Sequence, residues 1–253
     1  MSIVALMSAP KRGGGEFMVY THPDFPSTFL LPARFFDEYV KKGLFEESLI
    51  KWCADTFQRA DGVFLDIGAH TGTYTLVLAP HFRQTFAFEP ARATFYALCG
   101  GVALSGLEKR VHCLHTALGT TDMGTEATLH HLSEDGGGNT LVVPPPGTTV
   151  LAHERVPLTS VDAHFGSART DVAFVKIDVE GLEEQVLLGS VRTLEASGRP
   201  PILFECMCPE KLRAITAVLT QAPLGYTHIE TIAVATHMFL ASYHPPAAAA
   251  TET

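Results

Sequence analysis

Between residues 61 and 244, short unbroken apolar runs alternate with segments whose apolar residues recur every three or four positions. The first pattern marks strands buried on both faces and the second marks amphipathic helices. Together they predict strands over residues 63–67, 84–88, 111–116, 172–177 and 201–205, helices over 73–79, 91–104, 182–194 and 209–219, and two last strands over 226–230 and 236–241. Such alternation predicts a parallel α/β sheet with helices on both faces. From about 125 to 160 the texture changes to ATLHHL, SEDGGGN, TLVV, PPPG and HERVPLTSVD, which predicts a small antiparallel β-hairpin inserted into that frame. Upstream, residues 33–59 predict two short amphipathic helices broken at Gly43, packed over the sheet as a helical cover. Residues 1–30 are rich in Gly and Pro, show no period and read as a loose accessory segment. The chain thus divides into a cover over 1–60, one α/β domain over 61–244 and a disordered tail, PPAAAATET, over 245–253.

Composition narrows the class. At 253 residues and 46% hydrophobic, the chain can bury one large core. No apolar run approaches the roughly 18 residues of a membrane span. In MSIVALMSAPKRGGG the basic residues follow the short apolar run instead of preceding it, so no signal peptide is predicted. Five scattered cysteines fit reduced residues of a cytoplasmic protein, and Cys206-Met-Cys208, without the two-residue spacer of a zinc knuckle, reads as a buried strand end. A net charge of −9 disfavours a nucleic-acid partner.

The candidate chemistry begins at VFLDIGAHTGTYTLVLA. A dinucleotide site would end the strand in G-x-G-x-x-G, with helix amides receiving a pyrophosphate. Here the strand ends in Asp66, with glycines at Gly68 and Gly72. An acid there repels phosphate and attracts a cation, which points to the sulfonium and amino group of S-adenosylmethionine. Gly68 would let the backbone approach the ligand, and Gly72 would ease the start of the helix. Glu89 ends the next strand 23 residues later, near the offset at which an acid takes ribose hydroxyls. It also suits an acid placed before a helix that starts at Pro90.

Further acids fall at the same sheet edge. VKIDVEG and PILFE deliver Asp178, Glu180 and Glu205 to the carboxyl ends of their strands, where open parallel sheets bind ligands. One reading is that Asp178 and Glu180 stabilise the N-terminus of the next helix, a role that fits Glu180 in part. The other is that they face a methyl acceptor and take its hydroxyl proton, or that two or three acids hold a divalent cation that acidifies the hydroxyl. Lys176, inside an apolar strand, needs a charge partner, and Asp178 lies two residues along on the same face. His70 lies in the glycine turn, within reach of cofactor or acceptor. Thr116 and Ala117, after His115 at the third strand tip, are placed near an adenine through backbone contacts. His112, His115, His130 and His131 read as structural or surface residues.

FLDIGAHTGTYT, FAFEP, HTALG, GGGNTL, VPLTSVD, VKIDVEGLEEQVLLGS and PPILFE, in this order over residues 45–205, resemble the FkbM-type methyltransferases. The resemblance implies a class I Rossmann-like methyltransferase fold, S-adenosylmethionine as methyl donor and O-methylation of a sugar or natural-product hydroxyl. It carries Asp66, Gly68 and Glu89 over as cofactor residues, and Asp178, Glu180, Asn139 and Glu205 as acceptor-side residues. The family commonly has Asn where this chain has His70, and again near His115. The expected partner is a small hydroxyl acceptor, with no membrane and with a homodimer left open. Three rivals are an NAD oxidoreductase, which would need the absent G-x-G-x-x-G, a non-catalytic or nitrogen-directed binder of the same cofactor, and a nucleic-acid methyltransferase, against which the net negative charge and the absence of a basic run count.

Overall fold

The computed structural model describes residues 17–167 and 170–243. The segment before residue 17 and the tail over 245–253 lie outside the described residues.

A seven-stranded sheet forms the centre. Its parallel part contains β3 (Arg59–Ile67), β4 (Phe82–Phe88), β5 (Val111–Leu114), β9 (Val172–Ile177) and β10 (Ile202–Glu205), and β11 (His228–Ile232) and β12 (Ala235–Ser242) close one edge. The order is β11-β12-β10-β9-β3-β4-β5, with β12 antiparallel to both neighbours. After β3 the chain builds outward through α3 (Thr73–Leu78), β4, α4 (Arg92–Leu104) and β5. It then returns to place β9 on the other side of β3, followed by α6 (Glu183–Leu188), α7 (Val191–Ala196), β10 and α8 (Pro209–Thr220). The β3/β9 seam is therefore the topological switch point, and a crevice opens beyond its carboxyl ends.

Side-chain alternation sends the two sides of each central strand into different cores. Phe64 and Phe174 join a stack with Phe57 and Phe82, with centroids 4.4–5.4 Å apart, beneath α2 (Glu47–Phe57) and α3. Val63, Leu65, Ile67, Val175 and Ile177 pack on the opposite face with residues of α6, α7 and α8. The cover helices form as expected, and Gly43, at φ 84°, ends α1 (Phe36–Lys42).

Three expectations change. Residues 17–32 are not loose: β1 (Phe17–Thr21) and β2 (Thr28–Pro32) form an antiparallel hairpin. Phe29 and Leu31 are fully buried, and Thr28 bonds through both its N–H and its carbonyl to the Ser105 hydroxyl. Leu30 lies so close to Gly100 of α4 that a Cβ there would fall 2.4 Å from its Cδ1. The small residues of α4 provide this seat, a tertiary effect with no local period. The inserted element is likewise a three-stranded sheet, in which β8 (Ala152–Thr159) pairs with both β7 (Glu126–His131) and β6 (Ala117–Leu118). TLVV forms no strand; Thr140 makes a single bridge to His130, and the surrounding Gly and Pro clusters keep the segment a loop.

Finally, the helix expected over 182–194 is two helices, broken at Gly189 and Ser190. The Gly119 carbonyl of the inserted sheet lies where a Cβ on Gly189 would be only 2.1 Å away, and Asp162 accepts the N–H groups of Arg192 and Thr193 to start α7. Gly189→Ala is accordingly expected to destabilise the fold by about 1–3 kcal/mol, since backbone and not a flexible side chain must move. Urea unfolding of the variant measures this, and an unchanged midpoint would show that the close approach is not required.

Candidate active site

Three residues of the turn after β3 take left-handed backbone: Gly68 (φ 79°), His70 (φ 52°) and Gly72 (φ 89°). They fold the turn back so that the N–H groups of Gly68 and Ala69 both donate to the Phe88 carbonyl at 3.0 Å. Gly68 is obligatory on steric grounds, because a Cβ there would fall 1.7 Å from the Asp178 carbonyl oxygen. Gly72 begins α3.

This turn forms one wall of a cavity of about 740 Å³ over the switch point. Gly68, His70, Glu89, Thr116, Ala117, Asn139, Asp178, Glu180 and Glu205 all line it. Asp66 and Gly72 do not. Asp66 is the substantive correction: strand alternation places it on the Phe64 side of the sheet, fully buried, where it accepts a short hydrogen bond from Thr75. Its Oδ1 has no partner, and burial raises its pKa against the opposing pull of Lys176 and Thr75. It sits behind the wall, beside its register partner Lys176.

Glu89 is buried and already organises its surroundings. Its Oε2 accepts the His70 N–H at 2.8 Å, and its Oε1 accepts the Ala91 N–H and the Thr94 hydroxyl at 2.9 and 2.8 Å. The helix-stabilising reading is thus realised, and lone pairs remain for a ligand diol. Asn139 is a brace: its Oδ1 accepts the Leu132 N–H, and its amide nitrogen meets His131 Nδ1, both at 3.1 Å.

On the far side, Lys176 is buried at the seam. Its Nζ donates to Asp178 Oδ2 at 3.0 Å and to the Gly68 carbonyl at 3.2 Å, and lies 5.1 Å over the Tyr74 ring. Burial alone would lower its pKa, but Asp178 and Asp66 outweigh that and hold the ammonium above its usual range. Asp178, Glu180 and Glu205 bring carboxylate oxygens within 4.8 Å of one another. Burial, then Asp178 and Glu180, push Glu205 up to about 8; burial, then Asp178 and Glu183, push Glu180 up to about 7. Glu180 does not cap a helix. It sits at φ 54°, and Glu183 accepts the Gly181 N–H in that role, at 2.9 Å.

Three contributors escaped the sequence reading. Tyr74 donates to Glu46 Oε2 at 2.9 Å, and His237 Nε2 lies 3.6 Å from Glu46 Oε1 and 3.5 Å from Glu205 Oε1. Glu46 comes from the cover and His237 from the antiparallel edge, so no spacing in the chain connects them. Tyr74, in the first turn of α3 directly after the glycine turn, was the available signal.

Residues 66–219, more than half of the chain, match the Methyltransferase FkbM domain. The chain belongs to the FkbM methyltransferase family. It is a methyltransferase enzyme with a Rossmann-like fold, and S-adenosylmethionine is its cofactor. The cavity suits that cofactor: a tight backbone turn closes one wall, and among its charged lining residues the acids outnumber the two lysines, Lys42 and Lys176. No curated protein matches the chain. Among solved structures it is similar to a SAM-dependent O-methyltransferase from Thermotoga maritima, at 14% identity and a TM-score of 0.49, covering 90% of this chain and 77% of that one. It is also similar to a precorrin-6y C5,15-methyltransferase from Geobacter metallireducens, at 12% identity and a TM-score of 0.46, covering 79% and 89%. A Pyrococcus abyssi tRNA (uracil-54, C5)-methyltransferase in complex with S-adenosyl-L-homocysteine gives 14% identity and a TM-score of 0.47, covering 90% and 44%.

The raised carboxyls make stability pH-dependent. A Glu whose folded pKa exceeds its unfolded value stabilises the fold fully below the unfolded value and loses that contribution as pH rises through the folded one. For Glu205 and Glu180 the window runs from about 4.5 to about 8. The ligand-free protein is expected to lose Tm across it, and Glu205→Gln to flatten the decline. Parallel wild-type and variant curves would remove the carboxyl crowding inferred here.

Proposed function

We propose that this enzyme methylates a hydroxyl of a small molecule, a sugar or natural product of secondary metabolism, in the cytoplasm. The observation carrying the reading is the single cavity in which the glycine turn and Glu89 face Asp178, Glu180 and Glu205. When bound, S-adenosylmethionine supplies an electrophilic methyl group. Gly68, Glu89, Thr116 and Ala117 hold it by backbone approach and by acceptance of its ribose hydroxyls. The acceptor hydroxyl lies against the Asp178/Glu205 pair. Lys176 fixes the Asp178 carboxylate at 3.0 Å, and Asp178 takes the hydroxyl proton while Glu205, whose carboxylate lies within 4.8 Å of it, shares it. Positioning of the acceptor contributes most of the rate.

A lining in which acids outnumber its two lysines, one of them already paired with Asp178, supports an uncharged or cationic acceptor over a nucleic-acid strand. It also favours a second reading, an amine acceptor whose released proton the same carboxylates receive. The proximity of three carboxylates fits a divalent cation too. Five free cysteines and no helix long and apolar enough to cross a membrane, among the described residues, support the cytoplasmic assignment.

Calorimetric titration with S-adenosylhomocysteine, followed by transfer of labelled methyl to a panel of hydroxyl and amine acceptors with and without EDTA, tests the proposal. Asp178→Asn is expected to keep cofactor affinity and to lower turnover by about 10²–10⁴. Full turnover in that variant would remove the base assignment, and labelling of amines alone would replace oxygen with nitrogen.

A further inference from the structure

The loop between β7 and β8 carries SEDGGGN over the cavity, and its contact with the cofactor turn is specific. His70 Nε2 lies 2.7 Å from the Asp135 carbonyl. A carbonyl only accepts, so Nε2 carries the proton and donates. Nδ1 is then the acceptor, and the Thr71 hydroxyl lies 3.4 Å from it. The next residue, Gly136, sits in a seat with no room for a side chain: a Cβ there would be 2.9 Å from Thr94 Cγ2 and 3.4 Å from His70 Nε2. Both walls of that seat are organised by one group, since the Glu89 carboxylate accepts the His70 N–H and the Thr94 hydroxyl. Elsewhere the loop is held by Asn139 to Leu132 and His131, by Thr140 to the Glu180 carbonyl at 2.7 Å, and by an exposed Arg34–Glu134 pair at 3.7 Å, which contributes little.

We infer that His70 is a positioning residue that couples cofactor binding to closure of the 133–139 loop over the acceptor side of the cavity. Among the described residues the loop touches the cofactor turn through one side-chain hydrogen bond and a glycine seat, and both depend on residues that Glu89 holds. A ligand that engages Glu89 orders His70 and Thr94, and so orders Asp135 and Gly136. By linkage, a closed loop strengthens cofactor binding by the same factor. Asp135, Gly136, Gly137 and Asn139 all line the cavity, so closure completes the acceptor wall and favours the order cofactor first, acceptor second.

The position also separates this coupling from a purely structural role. His70 has φ 52°, a conformation that Asn tolerates better than His. Asn reproduces Nδ1 but not the reach of Nε2, whereas Gln can place an N–H near the Nε2 position. His70→Asn should therefore keep or raise fold stability while losing the latch, and His70→Gln should retain it.

The inference rests on the cofactor occupying this cavity against Glu89, and hydrogen exchange with and without S-adenosylhomocysteine tests both. In the wild type the ligand is expected to slow exchange of amides in 133–139 about tenfold, the worth of one net hydrogen bond. His70→Gln should respond similarly. His70→Asn should bind the ligand, unfold at the same or a higher temperature, and show little slowing. A His70→Asn loop that responds like the wild type, or a wild-type loop unmoved by bound ligand, overturns the coupling alone. Failure of the wild type to bind the ligand overturns the cofactor placement with it.

Discussion

A buried ammonium at the seam of two parallel strands is the constraint on which the site is built. Lys176 projects from β9 on the face it shares with Phe174, where an aliphatic residue would simply join the phenylalanine stack. Its charge is tolerable only because the Gly68 carbonyl, the Asp178 carboxylate and the Tyr74 ring converge on it, with Asp66 beside it in register. Leaving such a charge without partners costs about 3–5 kcal/mol. The cofactor turn and the acceptor-side acid are thus bound to the same cation. The distance between the two halves of the cavity follows from that arrangement and not from the loops alone.

The acids around this cation divide into two kinds. Asp66 and Asp178 serve Lys176, one from behind the cavity wall and one from within it. Glu205 meets only the His237 ring, at 3.5 Å, and Glu180 has no ion pair among the described residues, so burial and then crowding raise both pKa values toward neutrality. Lys176 holds the Asp178 carboxylate in place as the proposed proton acceptor, and Glu180 and Glu205, crowded against it, are suited to share the proton it receives. The cover contributes through Glu46, which Tyr74 of α3 fixes by a hydrogen bond, and His237 connects it to Glu205 from the antiparallel edge. The carboxylates are therefore contacted from the cover, the glycine turn and the antiparallel edge of the sheet at once.

Much of this was legible in the chain because strand tips have a simple physical reading. A buried apolar run that ends in an acid and a glycine delivers both to the carboxyl edge of a parallel sheet, so Gly68, Glu89, Asp178, Glu180 and Glu205 reach one cavity as expected. The pairing of Lys176 with Asp178 followed from the two-residue period of a strand. The same period also turned Asp66 inward. A residue one position before the strand end faces the side opposite Ile67, and only the packing of α3 shows that this side is closed.

By itself, the sequence determined the alternation of strands and helices, the cover helices, the glycine turn and the family, because periodicity, left-handed glycines and local motifs are properties of neighbouring residues. The tertiary structure decided what depends on distant ones. The hairpin before the cover exists because α4 offers Gly100 as a seat, and the helix after β9 breaks because Gly119 passes too close. Asn139 became a brace because the loop folded onto His131, and His70 became a link because Asp135 arrived within 2.7 Å of it. Hydrogen-bond partners separated by 65 residues leave no local trace, since the chain between them sets no spacing that the bond requires.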